Sequence, residues 1–172
     1  LGLSNETPYG LSKYLHLSST HKFPRVVSVQ NPYSLINRTY EVGLAEMSVR
    51  EKVGLLAYSP LAFGMLTGKY LNGQMPEGSR LKLYSKNFPR YQGTRSQLAV
   101  EEYYKIAQKY EMSLTQMSLA FVNMQPFVDS NIIGATNMKQ LEENIDSVHI
   151  DLSDEIVKEI NKIHENNPSP AP

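Results

Sequence analysis

Short, almost wholly apolar segments alternate along the chain with longer segments of helical periodicity. The apolar segments are RVVSVQ at 25–30, VGLLAYS at 53–59 and SNIIGAT at 130–136. Each is short and rich in β-branched residues, as in parallel strands that are buried on both faces. The first four residues, LGLS, have the composition of a strand that has almost ended. The pattern therefore predicts three strands and the tail of a fourth.

Helical periodicity predicts the connections between these strands. We expect helices over 9–19, 40–51, 96–110, 113–124, 137–148 and 153–163. Ser153 is a natural N-cap for the last of them, because its hydroxyl can accept from a free backbone N–H. Apolar stripes are formed by Val42, Leu44, Ala45 and Met47 in the second helix, by Met138, Leu141, Ile145 and Val148 in the fifth, and by Ile156, Ile160 and Ile163 in the sixth.

Strands that alternate with helices about every thirty residues indicate right-handed βαβ crossovers and an α/β fold with a parallel sheet. This number of strands is too small for a complete sheet but suits half of an eight-stranded β/α barrel, which typically needs about 250 residues. We therefore expect residues 1–172 to form a single partial domain. Because a half barrel exposes two sheet edges, this chain should pair with another half, form a homo-oligomer or aggregate. A small stand-alone α/β domain without a cofactor is the alternative.

Two segments depart from this pattern. Residues 72–95 are rich in Gly, Pro, Asn and Arg and are longer than a simple connection requires, which indicates a functional loop. Residues 166–172 are polar and proline-rich, and we expect them to be a flexible C-terminal tail.

Composition excludes several classes of protein. Lys and Arg together equal Asp and Glu at 17 each, so neither nucleic acid nor an anionic membrane is an expected partner. No apolar run is long enough to cross a bilayer. The chain has no cysteine, which excludes disulfides and fits a cytoplasmic location. Its four histidines lack the spacing of metal ligands, so we expect no metal site.

Polar residues follow each predicted strand directly. They are Ser4 and Asn5, Gln30 and Asn31, Tyr58 and Ser59, and the segment from Gly134 to Thr136. Ligands of β/α barrels sit at this edge of the sheet, so the residues form a candidate site. Each also has a purely structural explanation: Ser4, Asn5 and Thr136 as helix caps, Gln30 as a core group bonded to backbone, and Tyr58 as core packing.

The segment GATNMKQLEEN at 134–144 favours a ligand more specifically. A glycine lets the backbone approach a ligand, and the following helix begins with free N–H groups. Gln140, Glu143 and Asn144 share one helix face and carry groups that hydrogen-bond to purines. A solvated helix face is the alternative.

Basic residues could bind phosphate. Lys69 follows a glycine-rich turn, although the spacing of Gly64 and Gly68 does not match a phosphate-loop ATP site. Arg80 and Arg90 give the 72–95 loop a local positive charge, which suits either a lid over an anion or a solvated loop.

Four motifs together resemble the second half of the aldo-keto reductases. They are GLSN at 2–5, VQNPYSLINR at 29–38, LLAYSPLAFGMLTGKYL at 55–71 and IIGATNMKQLEENI at 132–145. The resemblance covers essentially the whole chain. It implies the C-terminal half of a (β/α)8 TIM barrel, from the end of strand 5 through strand 8 with the C-terminal helices. It also implies a nicotinamide cofactor, NADP(H), and a small-molecule carbonyl substrate.

The resemblance assigns roles to matching positions. Ser4, Asn5 and Gln30 would hold the nicotinamide carboxamide, and Tyr58 would stack on its ring. The 72–95 loop would be a cofactor clasp, with Arg80 contacting the cofactor. The turn that binds the pyrophosphate would comprise Ser59, Pro60, Leu61, Ala62 and Lys69. The residues around the 2′-phosphate would be Gly134, Thr136 and Gln140. Glu143 and Asn144 would contact the adenine.

The family's catalytic Asp, Tyr, Lys and His come from the first half of the barrel, so the resemblance assigns no catalytic residue here. The partner implied is the missing N-terminal half. Thr136 and Gln140 are neutral, so the preference for NADP rests on the family, Arg80 and Lys69. A non-catalytic nicotinamide-cofactor-binding or regulatory protein is the alternative function.

Overall fold

Four strands are present, β1 (Gly2–Ser4), β2 (Ser28–Pro32), β3 (Gly54–Tyr58) and β4 (Val128–Ile132). They form one parallel sheet in chain order, β1-β2-β3-β4, in a computed structural model that describes residues 1–84, 86 and 88–172. The predicted strands are confirmed with shifted bounds. β2 lies later than residues 25–30 because its pairing with β1 begins at Ser28, and β4 lies earlier than residues 130–136 because the chain leaves the sheet after Ile132.

Helices fill the connections, and the six predicted ones are confirmed. The α-helices of the described residues are α1 (Pro8–His21), α2 (Leu44–Glu51), α3 (Arg80–Tyr84), α4 (Thr94–Lys109), α5 (Leu114–Asn123), α6 (Met138–Asp146) and α7 (Asp154–Asn166). Short 3₁₀ turns cover Thr39–Glu41, Ala62–Thr67, Leu71–Gly73, Pro89–Tyr91 and Ser147–His149. None of the helices in the described ranges is long and apolar enough to span a membrane.

The sheet has two different faces. Val29, Leu55 and Ala57 are fully buried in the hydrophobic core. Gln30, Leu56 and Tyr58 occupy the alternate strand positions and are only half-buried. Because side chains alternate along a strand, one face is covered and the other remains partly open. A parallel sheet in chain order with helical crossovers is the architecture of half of a (β/α)8 barrel, as predicted.

The predicted helix over 40–51 begins later than expected. Residues 39–41 form a 3₁₀ turn, and α2 starts only at Leu44. Leu44 is buried as predicted, but Val42 precedes the helix and is 80% exposed. The assignment of Val42 to the apolar side was wrong, because Gly43 at a φ of 97° interrupts the helical path.

The apolar stripe of α6 is not buried. Met138, Ile145 and Val148 are exposed, and Leu141 is half-buried. The helix instead buries Asn144 and contacts α5. Most of the stripe faces away from the described residues, since α6 follows β4, which is an edge strand of this sheet. In α7 the prediction is confirmed, since Ser153 accepts from the N–H of Ile156 and the isoleucine stripe is buried.

The C-terminal residues 166–172 are docked, in contrast to the flexible tail expected from their composition. Ala171 is fully buried, and its N–H donates to the carbonyl of Ile36 at 3.0 Å. The carbonyl of Pro170 accepts from the Ser96 hydroxyl, also at 3.0 Å. Side-chain hydrogen bonds of Asn167 with Arg95 and of Ser169 with the N–H of Arg38 also hold this segment. These long-range contacts cannot be recognised from its polar, proline-rich composition.

A largely buried ion pair lies next to this tail, since the N–H of Arg38 donates to the Ser169 hydroxyl. Arg38 donates through Nε and Nη2 to the Glu41 carboxylate at 2.6 and 2.8 Å. Its Nη1 donates to Asn161 of α7 at 2.8 Å, and its guanidinium lies 5.0 Å from the ring centre of Phe121. The Tyr33 hydroxyl donates to the same carboxylate at 2.5 Å. One arginine thus joins the segment after β2 to α5 and α7.

We expect the substitution Arg38→Met to lower the free energy of unfolding by about 3 kcal/mol, because it leaves the Glu41 carboxylate inside the protein without its cation. The matched control is Arg50→Ala. Arg50 pairs with Glu46 at 2.7 Å, but its side chain is 74% exposed against 10% for Arg38. This control should cost about 0.5 kcal/mol or less. Urea unfolding of the intact protein measures both, and equal losses would contradict the assignment.

The pKa of His164 lies below its ordinary value, because burial and the nearby Arg38 cation disfavour the protonated ring. The unfolded chain therefore binds this proton more readily than the folded protein. The contribution of neutral His164 to the free energy of unfolding is fully present above the ordinary pKa of about 6.5. It is lost as the pH drops through the lowered pKa. In His164→Gln we expect a smaller loss of unfolding free energy between about pH 7 and pH 5 than in the parent. Urea titrations at the two pH values test this, and an unchanged loss would disprove it.

Candidate functional site

The carboxyl ends of β1, β2 and β3 lie side by side. The N–H of Asn5 donates to the carbonyl of Gln30 at 2.9 Å. The hydroxyl of Tyr58 donates to Oδ1 of Asn5 at 2.7 Å, although the two residues are 53 positions apart. Ser4 pairs with Gln30 in the sheet register and accepts from Nδ2 of Asn5 at 3.3 Å. The structure therefore brings these four predicted site residues together.

The capping explanation for three of the predicted residues is wrong. Helix α1 is capped by Thr7, whose hydroxyl accepts from the N–H of Gly10. Helix α6 is capped by Asn137, which accepts from the N–H of Gln140. Each helix begins after a turn that follows the strand, so Ser4, Asn5 and Thr136 lie too early in the chain to cap it.

The turn after Tyr58 is built from left-handed backbone. Ser59, Ala62 and Phe63 have φ of 55°, 48° and 61°, and Gly64 has a φ of 94°. Only glycine adopts such values without strain, so three side-chain-bearing residues are held in a costly conformation. Burial holds them in place, because Ala62 is fully buried and its N–H donates to the carbonyl of Ser59 at 2.8 Å.

Other predicted members of this turn differ in exposure. Pro60 is buried, and Leu61 and Lys69 are half-buried. The Lys69 ammonium lies 5.2 Å from the ring centre of Tyr70. A Cβ atom on Gly64 would lie 3.0 Å from that nitrogen, so Lys69 folds back against the backbone of the turn. The cation therefore lies beside the Gly64 backbone.

An aromatic cluster that sequence reasoning missed anchors the long loop to the turn. The ring centres of Phe63 and Phe88 are 3.9 Å apart, and those of Phe63 and Tyr91 are 6.0 Å apart. Burial raises the pKa of Tyr91, while a hydrogen bond with Ser59 opposes the shift. The sequence does show aromatic residues in both the 59–70 turn and the 72–95 loop, and these could have suggested a cluster. Only the fold shows that they are in contact.

The described part of the 72–95 loop contains regular secondary structure. It contains helix α3, and its Leu81 and Tyr91 side chains belong to the hydrophobic core. Its last residues belong to α4, which begins at Thr94. Residues 85 and 87, which the predicted loop includes, lie outside the described residues. Apolar residues within a Gly- and Pro-rich segment thus bury part of it, and its role as a clasp stays a prediction.

Arg80 connects this loop to two other parts of the site. Its guanidinium carbon lies 5.2 Å from the ring centre of Phe63. A Cβ atom on Gly134 would lie 3.9 Å from Nη2 of Arg80, so the guanidinium is also close to the segment after β4. The side chain therefore spans from the turn after β3 to the segment after β4.

The segment after β4 folds on itself. Both the N–H and the hydroxyl of Thr136 donate to Oε1 of Gln140 at 2.9 Å. The side chain of Asn144 is only 4% exposed and donates to the carbonyl of Gly134 at 3.3 Å. Glu143 accepts from the hydroxyl of Ser113, the N-cap of α5, at 2.6 Å.

The solvated-face explanation therefore fails for two of the three polar residues of α6 that were predicted to contact a ligand. Gln140 is exposed, whereas Glu143 is half-buried and Asn144 is buried. Asn144 braces the backbone at Gly134, and Glu143 joins α6 to α5. Their contacts with adenine stay predictions. Metal chemistry has no support in the described ranges, where no group of three or more His, Asp or Glu side chains could hold an ion.

Comparison with known proteins identifies the family. The sequence profile of the aldo/keto reductase family matches residues 1–165. This chain belongs to the aldo/keto reductase family. The strand-end cluster, the left-handed turn and the basic residues around it are thus features of an aldo/keto reductase.

Individual relatives agree with this assignment. The chain is 53% identical over 172 residues to the Escherichia coli protein tas, covering 100% of this chain and 49% of that protein. It is 38% identical over 170 residues to an aldo-keto reductase of Babesia bovis, covering 95% and 60%. It is 32% identical over 154 residues to L-glyceraldehyde 3-phosphate reductase of Escherichia coli, covering 87% and 44%. The chain therefore spans about half the length of the curated relatives it matches.

We expect Gly64→Ala to lower the free energy of unfolding by about 1–2 kcal/mol, because a Cβ atom disfavours the left-handed backbone. The new atom would also lie 2.9 Å from Cε of Lys69 and displace that side chain. Gly93→Ala is the control, since Gly93 has a φ of −65° and a Cβ there meets no atom within 4 Å. It should change stability by about 0.5 kcal/mol at most, because the entropy that alanine removes from the unfolded chain opposes the loss of a favoured N-cap residue of α4. Thermal and urea unfolding distinguish the two, and equal effects would show that the turn tolerates a side chain.

Proposed function

We propose that the intact protein is an NADP(H)-dependent oxidoreductase that interconverts aldehydes or ketones with alcohols, and that this chain carries most of its cofactor site. The observation that carries the proposal is the cluster of Ser4, Asn5, Gln30 and Tyr58 at the carboxyl ends of three neighbouring strands. Membership of the aldo/keto reductase family supports it, because the family generally uses nicotinamide cofactors.

The donor set fits a nicotinamide group. A carboxamide needs partners for one carbonyl oxygen and one NH₂, and the cluster offers a hydroxyl and two side-chain amides. Oδ1 of Asn5 already accepts from Tyr58 and Nδ2 donates one N–H to Ser4, so Asn5 has its second N–H to offer a ligand. The same bond tethers the Tyr58 ring, whose half-exposed face would support a stacked pyridine ring. The chain thus orients one face of the ring.

Two cations fit the phosphates. Among the ion pairs of the described residues, none involves Lys69 or Arg80. Both instead lie against aromatic rings, Lys69 near Tyr70 and Arg80 near Phe63. Cations held by rings rather than by carboxylates keep their charge for an anionic ligand. Lys69 beside the Gly64 backbone suits the pyrophosphate, and Arg80 beside Gly134 suits the 2′-phosphate.

When bound, the cofactor supplies or accepts the hydride at the carbonyl carbon. The cluster of Ser4, Asn5, Gln30 and Tyr58 would fix the position of the nicotinamide, and Tyr58 would cover one face of its ring. This fixed orientation lowers the activation barrier for hydride transfer. The proton donor of this reaction, a tyrosine tuned by lysine and histidine in the family, has no counterpart in this chain. We therefore propose that a second half-barrel supplies it and covers the open face of the sheet.

Native mass spectrometry of the intact protein with NADPH, followed by NADPH oxidation with a panel of aldehydes and ketones, tests the function. Bound NADPH with turnover supports the reductase. Bound NADPH without turnover on any carbonyl would favour a non-catalytic cofactor-binding protein. No bound cofactor would overturn the proposal.

We expect Arg80→Met to weaken NADPH binding about tenfold or more and NADH binding much less, because a charge-assisted bond to the 2′-phosphate is lost. Arg90→Met is the matched control, since it removes an arginine from the same loop whose guanidinium lies 6.0 Å from the Tyr91 ring centre. The control should leave both affinities nearly unchanged. Fluorescence titration with the two cofactors measures the ratio, and equal losses for NADPH and NADH would contradict the role of Arg80.

A further inference from the structure

A polar side chain interrupts the covered face of β2. Side chains of this strand alternate, so that Ser28 and Gln30 are half-buried while Val29 and Asn31 are buried. Asn31 shares a row with Ala57 of β3, which is fully buried in the core. An apolar residue would be expected there, and yet the position holds an amide that is only 9% exposed. Burial of an amide is unfavourable unless its groups are bonded.

Both ends of the Asn31 amide bond to one residue of the segment after β1. Its Oδ1 accepts from the N–H of Glu6, and its Nδ2 donates to the carbonyl of Glu6, each at 2.9 Å. This reciprocal pair fixes the backbone on both sides of Glu6. Since Asn5 immediately precedes Glu6, the orientation of the peptide that follows Asn5 is fixed by β2.

The Glu6 side chain turns the other way and stabilises the start of α1. Its Oε1 accepts from the N–H of Thr7 at 2.7 Å. The carboxylate occupies space that is open only because residue 10 is glycine, where a Cβ atom would lie 1.9 Å from Oε1. Asn31 and the first turn of α1 thus hold Glu6 from opposite sides.

Asn5 depends on this arrangement. Its φ of 53° lies in the left-handed region, which costs free energy for a residue with a side chain. Its N–H is bonded to Gln30, the neighbour of Asn31 in the strand. Consecutive residues of β2 thus hold consecutive residues of the β1–α1 segment, and the Asn5 side chain is thereby aimed at Tyr58.

We propose that Asn31 is a positioning residue for the nicotinamide site: its amide clamps Glu6 and so holds Asn5 in the left-handed conformation in which its side chain meets both Tyr58 and the carboxamide. This inference rests on the proposed function. It gives the buried face of β2 a role in orienting the cofactor. This role differs from that of Ser4, Asn5, Gln30 and Tyr58, which would contact the cofactor directly. Loss of the clamp releases the nicotinamide end of the cofactor and leaves the adenine end in place.

The test uses the intact protein with Asn31→Leu, which removes both bonds at similar volume, and Asn31→Asp, which keeps the acceptor and loses the donor. The control is Asn131→Leu. Asn131 shares the row with Ala57 on the other side, but its amide donates to Asn123 of α5 at 2.9 Å. It therefore removes an asparagine from the equivalent position of β4 without touching the β1–α1 segment.

The probes are NADPH and adenosine 2′,5′-bisphosphate, which lacks the nicotinamide. We expect Asn31→Leu to weaken NADPH binding about tenfold, Asn31→Asp to weaken it as well because its second oxygen faces the Glu6 carbonyl, and both to leave the bisphosphate affinity unchanged. The control should alter neither affinity. Titrations are made on protein that is folded by circular dichroism, and Asn31→Asp keeps the test available if the leucine variant does not fold.

Parallel losses for both probes would mean a merely structural role, and unchanged NADPH binding in both variants would also overturn the inference. Failure of the parent protein to bind NADPH at all is a different result, because it would overturn the proposed function itself. The steady-state kcat provides a second readout. It should fall in the Asn31 variants at saturating NADPH, because a loosely held ring is presented less often in the reactive orientation.

Discussion

Parallel pairing of the four strands is the constraint on which the rest of this structure depends. Strands that run in the same direction need a crossover after each strand, and their carboxyl ends then lie along one edge. The register places Ser4 beside Gln30 and Pro32 beside Tyr58. Residues far apart in the chain therefore reach hydrogen-bonding distance, as the bond between the Tyr58 hydroxyl and Asn5 shows.

Apolar contacts hold the polar parts of the site. Phe63 lies at the centre of this arrangement, since Phe88, Tyr91 and Arg80 all lie against its ring. A left-handed turn that would be unfavourable alone is stabilised because Ala62 is fully buried and Phe63 packs against these rings. The Arg80 cation is likewise held by stacking instead of by a carboxylate. Aromatic packing thus holds a positive charge in position without neutralising it.

The open features of the fold have a common cause. β1 and β4 are edge strands, one face of the sheet is only half covered, and the apolar stripe of α6 is exposed. These surfaces lie where an eight-stranded barrel would continue. The chain matches about half the length of its relatives, which agrees with this description. Our proposal of a second half-barrel accounts for all three features through burial of the same surfaces.

Local pattern in the sequence determined the elements. Short apolar, β-branched runs predicted the strands, period-3.6 spacing of apolar residues predicted six helices, and Ser153 marked the start of the last helix. The motifs indicated the family. These features depend on near neighbours in the chain, so they are visible without a structure. The polar residues at the strand ends also predicted the cluster of Ser4, Asn5, Gln30 and Tyr58, because parallel strands have their carboxyl ends at one edge of the sheet.

Tertiary structure decided the features that depend on which segments meet. The exposure of Val42 and of the α6 stripe, the docking of Ala171, and the roles of Thr7 and Asn137 as caps all depend on where a segment ends or what lies beside it. The same holds for Asn31, whose partner Glu6 is 25 positions away. A sequence states which groups can hydrogen-bond or be buried, but only the folded chain brings distant partners to within 3 Å.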